Sequence, residues 1–170
     1  MLEAIIICAS VVIDQLTKLW ASSALTGEAV GIIPGIINFR YVENRGMAFG
    51  LFQNGTVILA VLTGIFICVM VYLLYRYKSK TTRPFRICLS LIIGGAVGNL
   101  IDRIFAGFVV DFIEFDFVNF AVFNFADICV TVGAAALLIY LIFFEKGKNM
   151  LKGLDSDGRG HKGNGEPGDN

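Results

Sequence analysis

Histidine is almost missing from this 170-residue chain: the single one, His161, lies in a polar, Gly-rich stretch near the end. A Ser-His-Asp or Cys-His nucleophile, or an HExxH zinc helix, would need an imidazole among the apolar segments, and none is there. The four cysteines, Cys8, Cys68, Cys88 and Cys129, each sit alone inside a greasy run. No CxxC or CxxH spacing occurs, which argues against a zinc site or a disulfide framework and leaves them as small apolar residues. Net charge is lacking too: 14 basic residues face 14 acidic ones, so nothing points to nucleic acid. What the chain has in excess is apolar side chains, 56% of its residues, above the roughly 45–50% usual for a soluble domain. Acid–base chemistry near its core would fall to carboxylates, and no metal or cofactor is expected.

Four apolar runs, Leu2–Leu25, Thr56–Tyr77, Phe85–Phe105 and Phe125–Phe144, approach the ~20 residues a bilayer requires. A cleaved signal peptide is the weaker reading of the first run, which opens on Glu3 without Lys or Arg and is interrupted by Asp14. The connection between runs two and three holds Arg76, Lys78, Lys80, Arg83 and Arg86 with no acid, and Lys146, Lys148 and Lys152 follow run four. The positive-inside rule then puts both termini in the cytoplasm and the segments 26–55 and 104–123 outside. Gly27, Gly31, Pro34 and Gly35 punctuate short β-branched runs, so the first outer segment predicts a small strand-rich lobe. The second outer segment alternates from Val109 to Phe117 and predicts an amphipathic strand or an interfacial segment. The expected fold is an α-helical integral membrane protein: a four-transmembrane-helix bundle, residues 1–150, with an extracytoplasmic β-rich lobe at about 26–55. Residues 151–170 are too polar to fold and read as a disordered cytoplasmic tail.

Ionisable groups inside such spans are expensive and mark function by default. Asp14 and Lys18 lie one helical turn apart, placed to pair. Gly94 and Gly98 permit close helix approach, and Asn99, Asp102 and Arg103 follow on one face. Asp111 stands between Val109-Val110 and Phe112-Ile113, and Asp127 falls in the first turn of the last run, where the helix dipole favours a carboxylate. Glu114 and Asp116 read as solvated loop charges. Runs one and three travel outward and run four starts outside, so every awkward polar residue gathers at one depth, near the outer surface. A proton-coupled transporter or channel subunit would want polar groups at both depths, and the second run and the inner half of the third offer none. A rhomboid-like serine protease has no base to use. Two carboxylates sharing a site hold one proton between them, the ionised one activating water and the protonated one polarising a carbonyl. Which aspartate carries the proton stays open at this point.

Five motifs in order resemble the lipoprotein signal peptidase family (signal peptidase II). They are Asp14-Gln-Leu-Thr-Lys18, Asn44-Arg-Gly-Met-Ala-Phe49, Gly94-Gly-Ala-Val-Gly-Asn-Leu-Ile-Asp-Arg103, Val109-Val-Asp-Phe112 and Phe123-Asn-Phe-Ala-Asp127. The resemblance implies an intramembrane aspartyl endopeptidase with Asp111 and Asp127 as the catalytic pair. It further implies that Asn44, Gly95, Asn99, Arg103, Asn124 and Ala126 line the site and that Asp14 and Lys18 support it. The implied substrate is a diacylglyceryl-modified prolipoprotein, cut just before its lipidated cysteine on the outer face of the bacterial cytoplasmic membrane. Membrane lipids are the surroundings, and globomycin-type cyclic peptides the implied inhibitors. Ala121 stands where the family often has proline.

Overall fold

The computed structural model describes residues 1–46, 55–144 and 149. The expected tail, 151–170, and residues 47–49 of the second motif lie outside the described residues. In chain order the elements are α1 (Leu2–Ala24), β1 (Val30–Ile33), β2 (Ile37–Asn44), α2 (Thr56–Arg76), α3 (Arg83–Phe105), β3 (Val109–Phe115) and α4 (Phe125–Phe143). All four helices are long and apolar enough to cross a membrane.

The bundle is arranged about α3, which packs on each of the other three helices. Its small residues make this possible. A methyl group at Gly98 would collide with the Asp14 carboxylate of α1, and one at Gly95 with the Ala126 carbonyl oxygen of α4. At Gly94 it would lie 2.7 Å from the Ser10 Cβ. By contrast α2 buries none of its residues and leans mainly on α3. Helix α1 inverts the soluble pattern: Leu16, Leu19 and Ile5 point outward, while the stripe buried within the protein is Ser10, Asp14, Lys18 and Ala21. In lipid the apolar side chains need no burial, and it is the charged ones that must find the interior.

The strands form one antiparallel sheet, ordered β1-β2-β3, at the end of the bundle where α1 finishes and α4 begins. The lobe is therefore not confined to the expected 26–55 stretch; its third strand comes from residues 109–115, with Val42 opposite Asp111 and Asn44 opposite Val109. Periodicity within a segment does not name its partner strand, which is why this pairing escaped a reading of the chain in order. Val110 and Phe112 set the sheet on Ala21 of α1 and on Leu25, the residue just after it. Trp20, Phe39 and Phe112 meet edge to face at 5.6–6.1 Å, each pair contributing about 0.5–1.5 kcal/mol beyond area burial. Alternation in β3 does not become alternating exposure, because Val109 through Phe112 are all buried. One face rests on α1, and the other closes over the groups described next.

Candidate active site

Asp111 is 2% exposed. Its Oδ2 accepts from Asn44 Nδ2 at 2.9 Å and its Oδ1 from Asn124 Nδ2 at 2.7 Å. Burial pushes its carboxyl up to about 6, the Asn44 hydrogen bond opposes the rise, and the negative charge of Asp127 adds to it. Asp127 occupies the third position of α4, where it and Asn124 form a reciprocal capping box. Asn124 Oδ1 accepts from the Asp127 amide at 3.0 Å, and Asp127 Oδ2 accepts from the Asn124 amide at 3.2 Å. The second Asp127 oxygen, Oδ1, accepts from Asn99 Nδ2 at 2.8 Å. An ordinary helix cap is thus only part of what this side chain does.

The two aspartates are joined through amides. Asn124 Nδ2 donates to Asn99 Oδ1 at 3.1 Å as well as to Asp111, and Asn99 donates onward to Asp127. Behind Asn99 lies Lys18, whose Nζ reaches Asn99 Oδ1 at 2.8 Å, Asp14 Oδ2 at 2.8 Å and Asp102 Oδ2 at 3.0 Å. The expected Asp14–Lys18 pair is present, and Asp102 joins it. Among the described residues no buried side-chain polar atom lacks a partner, as a dry polar network requires.

Two cavities flank Asp127. One, of about 500 Å³, runs from Asn44 and Asp111 past Phe115, Phe120 and Phe123 to Thr131 and Val132. The other, of about 480 Å³, lies between α2 and the α3–α4 pair and is walled by Ile58, Leu62, Phe66 and Val130. Asn99, Arg103, Asp127 and Thr131 line both. Arg103 also donates to the Asn99 carbonyl at 3.3 Å. The arrangement offers two carboxylates in one cleft, an adjacent guanidinium and greasy walls: the requirements for water-mediated attack on an acyl group carried by an apolar ligand.

Of the residues singled out from sequence, Asn44, Asn99, Arg103, Asp111 and Asp127 share the larger cavity's wall. Asn124 is fully buried beneath it. Gly95 and Ala126 lie on neither wall; they are in contact with each other one layer behind. Asp102 turns from Asn99 and Arg103 toward α1. Gln15 and Thr131 were missed. Gln15 Nε2 reaches Asp102 Oδ1 at 2.9 Å, and its signal was an amide in an apolar span. Thr131 is small and one turn below Asp127, with no pattern to mark it. Ala121 lines the cavity beside Phe120 and Val122.

Comparison with known proteins adds an independent line. A family model described as signal peptidase (SPase) II matches residues 6–143. A lipoprotein signal peptidase of Clostridium novyi (strain NT) is 43% identical over 145 residues, spanning 83% of this chain and 97% of that protein. The lipoprotein signal peptidase of Clostridioides difficile (strain 630) is 42% identical over 147 residues, covering 85% and 97%. A solved bacterial membrane enzyme superposes with a TM-score of 0.74 at 26% identity, covering 97% of this chain and 94% of its own. A second solved bacterial membrane enzyme gives 0.72 at 29% identity, over 84% and 93%.

Proposed function

This chain belongs to the signal peptidase II family, a multi-pass bacterial membrane protease, and from that premise we propose that it removes signal peptides from lipid-modified prolipoproteins by aspartyl chemistry. Asp111 and Asp127 are the pair. The observation that carries the reading is their convergence, from segments 16 residues apart in number and in different elements, on one cleft wall linked by Asn124 and Asn99. Asp111, the more buried partner, holds the shared proton and hydrogen-bonds the scissile carbonyl. Asp127, half-buried and open to both cavities, takes a proton from water, which attacks the carbonyl carbon. The tetrahedral diol then collapses, the amine leaving with a proton returned by the pair. Neither a metal nor a covalent enzyme intermediate enters this sequence.

The same reading accommodates the substrate. The peptide lies extended in the larger cavity, under β3 and the Phe-rich connection to α4, while acyl chains run in the greasy groove beside α2. The cut falls immediately before the diacylglyceryl cysteine, at the outer face of the membrane with both termini inside. A globomycin-type cyclic peptide competes for that cleft. Incubating the purified protein in detergent with lipidated and unlipidated forms of one prolipoprotein, with and without EDTA, tests the assignment. Cleavage of the lipidated form alone, indifferent to EDTA and giving a product that begins with the modified cysteine, is expected. Equal cleavage of both forms, or loss with EDTA, overturns it.

A further inference from the structure

Each aspartate of the pair is preceded by a residue whose backbone amide is held by a buried carboxylate. The Val110 N–H, next to Asp111, donates to Asp102 Oδ2 at 3.1 Å. The Ala126 N–H, next to Asp127, donates to Asp14 Oδ1 at 3.0 Å. Both carboxylates are in turn bound to one atom, Lys18 Nζ, at 3.0 and 2.8 Å. The third acceptor of that ammonium is Asn99 Oδ1, which belongs to the amide link between the aspartates. All three of its donors are therefore spent, each on a partner that leads to the site. Gln15 braces the arrangement, donating to Asp102 and more weakly to Asp14.

We infer that Asp102, Lys18 and Asp14 form a positioning lock that sets the separation of Asp111 and Asp127, with Asp102 the residue that fixes the Asp111 side. This rests on the two-carboxylate reading above. Stability alone gives little reason for the device, since a buried ion cluster is commonly no better than apolar packing of the same volume. Geometry gives a strong one. The backbones carrying the two reacting groups come from a strand and a helix joined by a single isolated bridge, Ile113 with Phe123, and one cation references both. Asp14 is fully buried and Lys18 3% exposed, so the cluster is shielded from bulk water.

The test compares Asp102→Ala with Asp102→Asn, whose side-chain oxygen still accepts from the Val110 amide. Turnover of a lipidated prolipopeptide is measured per folded enzyme. For Asp102→Ala, kcat falls about 100-fold, the scale of an ångström-level misplacement, while KM stays within about 3-fold. Asp102→Asn recovers about tenfold of that loss. The pH profile supplies a readout that mere loss of stability would not move. Two carboxylates held close titrate in widely separated steps, so the interval between the acidic and basic limbs narrows when the lock is cut. The cations facing the pair, Arg103 from α3 and Lys18 from α1, are retained in both variants, and both variants lose the Asp102 charge equally, so a difference between Ala and Asn is not an effect of charge. Unaltered kcat in Asp102→Ala, an Asn variant no better than Ala, or a profile of undiminished width each overturns the inference. If Asp102→Ala does not fold, Asp102→Asn decides alone: about tenfold lower kcat with a narrowed profile supports the lock, and wild-type values sink it. Asp111→Asn, run in parallel, separates the two failures. If it retains activity the pair itself is misassigned; if it is dead while Asp102→Ala is fully active, only the lock falls.

Discussion

A carboxyl group with one fiftieth of its surface exposed and an anionic neighbour keeps its proton to unusually high pH. For Asp111 that limit is about 6. The one-proton form of the proposed pair therefore survives up to that value and is lost above it. The free enzyme's kcat/KM is therefore expected to fall about tenfold per pH unit above a midpoint near about 6. A profile flat from about pH 5 to 8 would contradict the assignment of the proton. Asn124 carries three loads at once, capping α4, holding Asp111 and contacting Asn99. Asn124→Ala should lower stability by about 1–2 kcal/mol through the cap, read as a reduced thermal midpoint, and also depress turnover. At this scale sequence shows which residues share a helix face and not where each side chain turns. Helical spacing placed Asn99, Asp102 and Arg103 on one face. It did not say that Asp102 would turn to Lys18 while its neighbours met the cavity, because that choice is made by α1.

The helices owe their closeness to missing side chains. Gly98→Ala places a methyl against a fully buried carboxylate, and Gly95→Ala places one against the backbone oxygen of Ala126, beside Asp127. Neither neighbour can yield cheaply. Each substitution should cost about 1–3 kcal/mol, measured by thermal unfolding in detergent, and Gly95→Ala should slow turnover as well. Gly64→Ala in α2, with nothing within 4 Å of the added carbon, is the control and should change stability by less than about 1 kcal/mol. Elements themselves were legible: the four apolar runs match the four helices to within two residues at every end. Their length and composition are intrinsic to each segment. The third strand was legible as a strand and not as a member of the lobe, since pairing is a property of two segments.

For the molecule as a whole, the polar groups of α1, α3 and α4 meet at the sheet end of the bundle, while α2 keeps an apolar body. That concentration was deducible from directions of travel alone; the amide links and the shared cation were not, because they depend on contacts between segments up to 112 residues apart. Sidedness is testable separately. In a variant with its cysteines replaced by alanine, Asp116→Cys should react with an impermeant maleimide added outside intact cells, and Lys78→Cys only after lysis. The most direct test of the central claim is single-turnover cleavage of a lipidated prolipoprotein by purified Asp111→Asn and Asp127→Asn. Each variant, folded and still binding substrate, should be slowed by about 10²–10⁴-fold. Cleavage by either at the unmodified enzyme's rate would contradict the two-carboxylate account.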